Sequence, residues 1–183
     1  MPKTTLTQAA AKAAPKLIRS AFTVRASMAI DQNFSQPSSL ERHARPERGI
    51  RIKRVSQIKV KVGIEGHDDP YRLRLIRRRV GKKVELRVDA NEAWPAAAAA
   101  ERITALEPAG IASVEQPVKH EEVDQLAAIR KRVKTPIMLD ESLCGMADAE
   151  RAASNGLCDL FNLRLSKCGG FIPSLRLAQF AAK

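Results

Sequence analysis

From about residue 50 onward the chain repeats a short apolar run, a polar turn and a helical stretch. The apolar runs, rich in β-branched residues, have the length of buried strands. They are QIKVKVG, VELRVDAN, IASVEQP, PIMLDES and CDLFNLRLS, at residues 57–63, 84–91, 111–117, 136–142 and 158–166. Helices are predicted near residues 69–80, 95–107, 121–133, 146–155 and 172–182. Strands alternating with helices of about 10–15 residues predict βαβ units and a parallel sheet buried on both faces, which is an α/β fold.

Residues 1–49 have a different character from the rest of the chain. They are rich in Ala, Ser, Thr, Lys and Arg, contain no acidic residue before Asp31, and show no sustained helical or strand period. This composition favours a disordered or spurious basic leader, and it is also typical of an organelle transit peptide. We therefore predict a leader over residues 1–49 and one α/β domain over residues 50–183.

The net charge of +12 raises the question of nucleic-acid binding. Residues 1–55 contain eleven Lys and Arg against three Asp and Glu, so most of the excess charge lies in the leader. The basic stretch RLRLIRRRVGKK at residues 72–83 is typical of a solvated helix face, and 4% aromatic residues leave little for base stacking. We expect no specific nucleic-acid partner. We also expect no membrane span, because no run reaches the roughly 18 apolar residues that one needs.

The cysteines and histidines exclude two classes of site. Cys144, Cys158 and Cys168 are odd in number and form no CxxC pair, which argues against a disulfide framework and a structural zinc site. The three histidines form no HxH or HExxH pattern. A reducing, cytoplasmic location is the expectation.

Charged residues recur near the end of each predicted strand. Lys61, Asp89, Glu115, Asp140 and Arg164 follow one another at intervals of 28, 26, 25 and 24 residues, close to one βα repeat each. Parallel strands with right-handed crossovers bring their carboxyl ends to one face, so these side chains should converge there. A single Asp at a strand end is often a helix N-cap, but three carboxylates on consecutive strands are harder to explain structurally.

Three buried carboxylates in one place would repel one another unless a cation neutralised them. All-oxygen ligands without Cys or His indicate Mg²⁺ or Mn²⁺ as that cation. Lys59 and Lys61 lie two residues apart and therefore on the same strand face, where they should point toward the carboxylates. A nearby dication and a second lysine disfavour the charged form of Lys61, which suits it to act as a base.

At these residues the sequence resembles the enolase superfamily, in its mandelate racemase/muconate lactonizing enzyme family. The matching stretches are KVKVG, DANEAW, EQP, DES and NLRLSKCGG, which together cover about residues 57–172. The subgroup is muconate cycloisomerase-like and includes o-succinylbenzoate synthases and dipeptide epimerases. The resemblance implies a (β/α)8 TIM-type barrel and an isomerase or lyase. Such an enzyme uses Mg²⁺ to remove the α-proton of a small carboxylate substrate through an enediolate.

The resemblance also implies a role for each matching residue. Asp89, Glu115 and Asp140 would bind the metal ion, and Lys61 would be the base with Lys59 assisting it. Asn91 and Glu141 would orient the metal ligands and the basic residue on the far side of the substrate. These two sentences describe a complete family site, in which a second lysine is usual on that far side.

The sequence departs from the family pattern on the far side of the substrate. Arg164 stands where the second lysine is usual, and a guanidinium keeps its proton at neutral pH. Lys167 lies nearby, but its strand parity is opposite to that of Arg164, so it ranks second for facing the site. Cycloisomerisation or elimination from one side is therefore favoured. Racemase or dipeptide epimerase activity, and a catalytically inactive fragment, stay open as alternatives.

The sequence also departs from the family in length. Residues 57–183 hold about five βα units, whereas a complete barrel has eight and takes about 250 residues. The first and the last two barrel strands are not recognisable, and neither is the capping domain of the family. We therefore expect a partial barrel whose exposed sheet edges favour homo-oligomers or aggregation.

Overall fold

The computed structural model of the chain describes residues 55–182 and two short strands, β1 (Arg19–Ser20) and β2 (Met28–Ile30). Both short strands lie within the predicted leader. The other leader residues lie outside the described part of the chain, so the prediction that they are disordered stays a prediction.

Seven strands form one parallel sheet in the order β1-β7-β6-β5-β4-β3-β2. The five predicted strands form its central part, which confirms the α/β fold class. They are β3 (Gln57–Lys61), β4 (Glu85–Asp89), β5 (Ser113–Glu115), β6 (Ile137–Leu139) and β7 (Leu160–Phe161). The two leader strands extend it, since β1 pairs with β7 and β2 pairs with β3.

A helix follows each of the five central strands, as βαβ units require. They are α1 (Asp69–Val80), α2 (Ala96–Leu106), α3 (Leu126–Arg130), α4 (Met146–Asn155) and α5 (Phe171–Ala181). Short 3-10 helices, Glu107–Ala109 and His120–Gln125, follow α2 and precede α3. The predicted helix at 121–133 is therefore part 3-10 and part α. None of the helices in the described ranges is long and apolar enough to cross a bilayer.

The core lies between the sheet and its helices. Along β3 the apolar residues Ile58 and Val60 are buried, while the lysines between them are half-buried. Alternate residues of a strand face opposite sides of the sheet. The apolar side of β3 thus packs into the core, and both lysines project from its other side.

Two strands are shorter than the sequence predicted, and the reasons are local. β5 ends at Glu115 because Gln116 takes a left-handed backbone conformation, with φ of 37°, and Pro117 has no amide hydrogen to donate. β7 ends at Phe161, and the chain then turns so that the amides of Lys167 and Cys168 donate to the Arg164 carbonyl at 3.0 and 2.8 Å. The prediction of a strand to residue 166 is wrong.

Candidate active site

The strand register places the charged residues of the first three central strands side by side. Lys61 of β3 pairs with Asp89 of β4, and Asp89 pairs with Glu115 of β5. Glu115 pairs with Met138 of β6, and Asp140 follows Met138 by two residues, which returns it to the same face. The predicted convergence at the carboxyl edge of the sheet is therefore observed.

The three carboxylates are buried, and a lysine ammonium bridges two of them. Asp89, Glu115 and Asp140 expose only 2, 4 and 0% of their surface. The Lys59 Nζ atom lies 3.0 Å from Asp89 Oδ2 and 3.3 Å from both Glu115 carboxylate oxygens. Buried carboxylates require such a partner, since an unpaired charge in the interior is strongly destabilising. Lys59 is therefore held as their counter-charge.

Lys61 is in a different situation from Lys59, although both project from the same face. Its side chain is 45% exposed, and its Nζ donates to Asn91 Oδ1 at 2.6 Å while lying 3.7 Å from Asp89 Oδ2. The Asn91 amide in turn donates to Glu141 Oε1 at 2.7 Å. Asn91 and Glu141 thus connect the lysine on one side of the site to the turn that carries Asp140.

The basic residues after β7 approach the same carboxylates from the other end of the row. The Arg164 guanidinium contacts Asp140 Oδ2 and lies 3.8 Å from Glu115 Oε1 and from Glu141 Oε1. The Lys167 ammonium donates to Asp140 Oδ1 at 2.7 Å and also to the Asp140 carbonyl. Lys167 therefore faces the site. The turn after β7 removes the parity argument that ranked it second.

The surroundings shift three pKa values at this edge. Burial lowers the pKa of Lys59, but the Glu115 and Asp89 carboxylates outweigh it and leave the pKa raised. Burial, reinforced by the Asp89 and Glu115 charges, raises the pKa of Glu141. Burial, reinforced by the Arg164 guanidinium, lowers the pKa of Lys167. Lys59 is thus held in its charged form, whereas Lys167 gives up a proton more easily than an ordinary lysine.

Whether these residues suit a divalent ion can be judged from their chemistry. Among the described residues, no three Asp, Glu, His or Cys side chains are close enough together to hold a metal ion as they stand. Lysine and arginine side chains lie between the carboxylates instead. Two oxygens, Asp140 Oδ2 and Glu141 Oε2, are buried and accept no hydrogen bond from the described residues; the Arg164 contact with Asp140 lacks hydrogen-bond geometry. Oxygen donors with unsatisfied lone pairs fit Mg²⁺, provided that the ammonium and guanidinium groups withdraw.

Sequence reasoning missed two residues that hold the site together. Asn162 donates from its side-chain amide to Glu115 Oε1 at 2.8 Å. Gln116 is fully buried directly behind Glu115. Both belong to stretches that the sequence singled out, NLR and EQP, where attention went to the charged residue alone. The available signal was a buried amide next to a charge, because such amides need partners and usually bind to something specific.

The sequence and the fold were compared with those of known proteins. The family model described as "Enolase C-terminal domain-like" matches residues 40–183. A D-Ala-D/L-Ala epimerase from Cytophaga hutchinsonii is 43% identical over 68% of this chain and 34% of its own length. A chloromuconate cycloisomerase from Pseudomonas putida is 35% identical over 74% of this chain and 37% of its own. The chain thus spans about a third of the length of the curated relatives it matches.

The similarity extends to solved structures. The dipeptide epimerase of Cytophaga hutchinsonii, crystallised with Mg and the dipeptide D-Ala-L-Val, superposes with a TM-score of 0.66 at 42% identity. This match covers 69% of the present chain and 34% of the epimerase. A muconate cycloisomerase from Pseudomonas fluorescens superposes with a TM-score of 0.65 at 31% identity and similar coverage, 69% and 36%.

Proposed function

Because the chain belongs to the enolase C-terminal domain-like family, we propose that this sheet edge is the proton-abstraction site of a metal-dependent enzyme acting on a small carboxylate. Its named relatives are epimerases and cycloisomerases of the same superfamily. The observation that carries the proposal is the row of Lys61, Asp89 and Glu115 on three paired strands, with Asp140 two residues beyond the next pairing.

The residues divide the work according to their surroundings. Asp89, Glu115 and Asp140 would hold Mg²⁺, with Mn²⁺ as a substitute, since they supply the oxygen ligands that these ions prefer. The bound ion would stabilise the negative charge that develops on a substrate carboxylate as its α-proton leaves. Lys61 is the base, because its exposed ammonium makes one amide hydrogen bond and can reach a substrate. Lys59, held by two carboxylates, supplies positive charge and does not move.

The outcome of proton removal depends on the other end of the row. Arg164 cannot return a proton at neutral pH, so it binds an anionic group of the substrate. With Lys61 as the only proton carrier, the chemistry is cycloisomerisation or elimination, which is the proposal that we place first. A cytoplasmic location is also proposed, supported by the three free thiols of the chain.

Epimerisation is a second candidate, and the position of Lys167 favours it. β3 and β7 are at opposite ends of the five central strands, so Lys61 and Lys167 flank the carboxylate row from its two sides. Both have an ammonium close to a carboxylate of that row, at 3.7 Å for Lys61 to Asp89 and 2.7 Å for Lys167 to Asp140. A lysine on each side is what removal of a proton from one face and its return to the other require.

The test is exchange of a substrate α-proton in D₂O, followed by proton NMR with the full chain and millimolar Mg²⁺. Alanine dipeptides of both configurations and muconate are the probes. We expect Mg²⁺-dependent exchange or conversion that falls by at least about a hundredfold in Lys61→Ala, as for loss of a general base. If Lys167→Ala abolishes exchange of one epimer only, the reaction is epimerisation; if it leaves exchange intact, the chemistry is one-sided.

Thermal melts decide whether the metal is part of this. Mg²⁺ should raise the melting temperature of the parent and of Asp159→Ala, a matched carboxylate at the other end of the sheet, but not that of Asp140→Ala. A parent chain that neither responds to Mg²⁺ nor exchanges any of the probes would refute the proposal.

A further inference from the structure

Gln116 occupies an unusual position immediately behind the carboxylate row. It follows Glu115 directly, its side chain is fully buried, and its φ of 37° lies in the left-handed region. A residue with a side chain avoids that region unless its surroundings compensate, because the conformation costs on the order of 1 kcal/mol or more. The surroundings of Gln116 should therefore show what compensates for this cost.

The side-chain amide of Gln116 uses all of its hydrogen-bonding capacity on neighbouring turns. Its Oε1 atom accepts from the backbone amides of Asp140 and Ser142, at 3.1 and 3.2 Å. Its Nε2 atom donates to Ser142 Oγ at 2.8 Å and to the Val118 carbonyl at 2.9 Å. A side-chain amide offers two acceptor and two donor sites, and here each is taken. The Gln116 amide thus ties the turn after β6 to the turn after β5.

The backbone of Gln116 makes the corresponding link on both sides. Its amide donates to the Met138 carbonyl of β6 at 2.9 Å, and its carbonyl accepts from the Glu92 amide at 2.9 Å. Glu92 and Asn91 also have positive φ values and form the turn after β4. One residue therefore joins the three turns that follow Asp89, Glu115 and Asp140.

From this connectivity we propose that Gln116 is a positioning residue, which sets the spacing of the Glu115 and Asp140 carboxylates so that one divalent ion can bind both. It touches neither carboxylate. It acts on their backbones, through the peptide that it shares with Glu115 and through the Asp140 amide. This inference rests on the proposed function, because it assumes that the row holds a metal ion.

The residue type follows from the pattern of partners. An apolar residue would fill the volume but leave the buried Asp140 and Ser142 amides unpaired, which is costly in the interior. A glutamate would still accept from those two amides. It could not donate to the Val118 carbonyl, and it would add a negative charge beside the carboxylate row. Only an amide of this length serves all four partners.

The experiment compares Gln116→Met with Asp159→Leu in the full chain. Asp159 is the matched control, because its Oδ2 accepts from the Ile137 amide at 2.9 Å and so fastens the opposite end of β6. Mn²⁺ binding is measured by electron paramagnetic resonance, and stability by metal-free thermal melts. We expect both variants to melt earlier, with the Mn²⁺ dissociation constant raised at least tenfold in Gln116→Met and changed less than about twofold in Asp159→Leu.

Amide hydrogen exchange of the metal-free chain gives a second measurement. Exchange at Asp140 and Ser142 should accelerate in Gln116→Met while the rest of β6 keeps its protection. Gln116→Glu keeps both acceptor contacts, so its exchange should stay close to that of the parent, and it replaces Gln116→Met if that variant does not fold. Unchanged exchange at Asp140 and Ser142, or an equal loss of Mn²⁺ affinity in Gln116→Met and the control, would overturn the assignment.

The two measurements also separate this inference from the function on which it rests. If the parent binds no Mn²⁺, the metal-dependent function fails and so does the assignment of a role in metal placement. The exchange data would then still show whether Gln116 joins the turns. If the parent binds Mn²⁺ and Gln116→Met binds it equally well, only the positioning role is lost.

Discussion

The two ends of the five central strands both carry charged side chains, but they satisfy them in different ways. At the amino end, arginine and carboxylate groups bind mainly to backbone atoms and to one another in pairs. At the carboxyl end, four carboxylates and four basic groups bind mainly to each other. The first arrangement fixes loops in place, whereas the second can be rearranged without breaking the backbone hydrogen bonds of the sheet.

Arg77 is the clearest case at the amino end. Its guanidinium donates to four backbone carbonyls, at 2.7–2.9 Å, and thereby joins the end of α1 to the loop after α2. These carbonyls belong to Gly81, Val84, Ala109 and Gly110. A planar guanidinium with five donors suits such a set, and a lysine would not.

Other groups at the amino end follow the same rule. Arg130 binds Asp159 at 2.5–2.8 Å and the Gly156 carbonyl at 2.9 Å, and Asp159 accepts from the Ile137 amide. Glu107 accepts from the amides of Lys134 and Thr135 at 2.7 and 3.1 Å. No carboxylate among these three fasteners is free to bind a ligand, because its partners are part of the chain path.

The contrast teaches which charges are structural and which are functional. A charge held by backbone groups cannot be exchanged for a ligand without unfolding a loop. A carboxylate held by a lysine ammonium can exchange that partner for a divalent ion, since the lysine swings away into solvent. The carboxyl end is built for such an exchange, and substitutions at the two ends should have different effects.

The largest expected effect on stability is at the amino end, in Arg77→Ala. Four buried or half-buried carbonyls would lose a charged donor, so we expect the free energy of unfolding to fall by about 3 kcal/mol. Urea denaturation measures this. Arg78→Ala, an exposed arginine one residue along the same helix, should cost less than about 1 kcal/mol. Equal losses in both variants would contradict the structural role assigned to Arg77.

The next effect is at the carboxyl end, in Lys59→Met. Without metal, Asp89 and Glu115 would lose the cation between them, so we expect a loss of about 2 kcal/mol, which is modest for a pair of this kind because Lys59 is partly exposed. Mg²⁺ should recover much of the loss by neutralising the same carboxylates. Denaturation with and without Mg²⁺ measures this, and Lys61→Met is the control, with a smaller loss. An identical loss in both conditions would show that the charges here are not exchangeable.

The smallest expected effect concerns two thiols, one in the turn after β6 and one before β7. Cys144 is exposed, whereas Cys158 is buried and burial raises its pKa to about 12. An alkylating reagent should modify Cys144 at pH 8 and leave Cys158 intact in the folded chain, since the thiolate is the reactive form. Mass spectrometry of the labelled chain measures this, with the chain in urea as the control for Cys158.

The same pKa has a consequence for stability. Because the folded pKa of Cys158 lies above its ordinary value of 9.0, its contribution to stability is complete below pH 9. It is lost as the pH rises toward 12, where the unfolded chain gains from ionising the thiol. Rapid labelling of Cys158 in the folded chain at pH 8 would contradict its burial.

Much of the fold was predictable from local patterns. The alternation of β-branched runs with helical stretches predicted five parallel strands, and all five are present. The spacing from Lys61 to Asp140 predicted that these charges meet at one edge, because parallel strands repeat the same geometry every βα unit. The length of β7 was not predictable, since the apolar residues Leu163 and Leu165 continue the strand pattern beyond the point where the chain turns.

The sequence by itself determined the type of each element and the face on which each charged residue lies, because both depend on periodicities of 2 and 3.6 residues along the chain. Only the tertiary structure decided which charges are paired. The turn after β7 brings Lys167 back to Asp140, and the buried amide of Gln116 joins three turns that are 24 or more residues apart. Both depend on distances between segments remote in sequence, and these arise only when the strands have assembled.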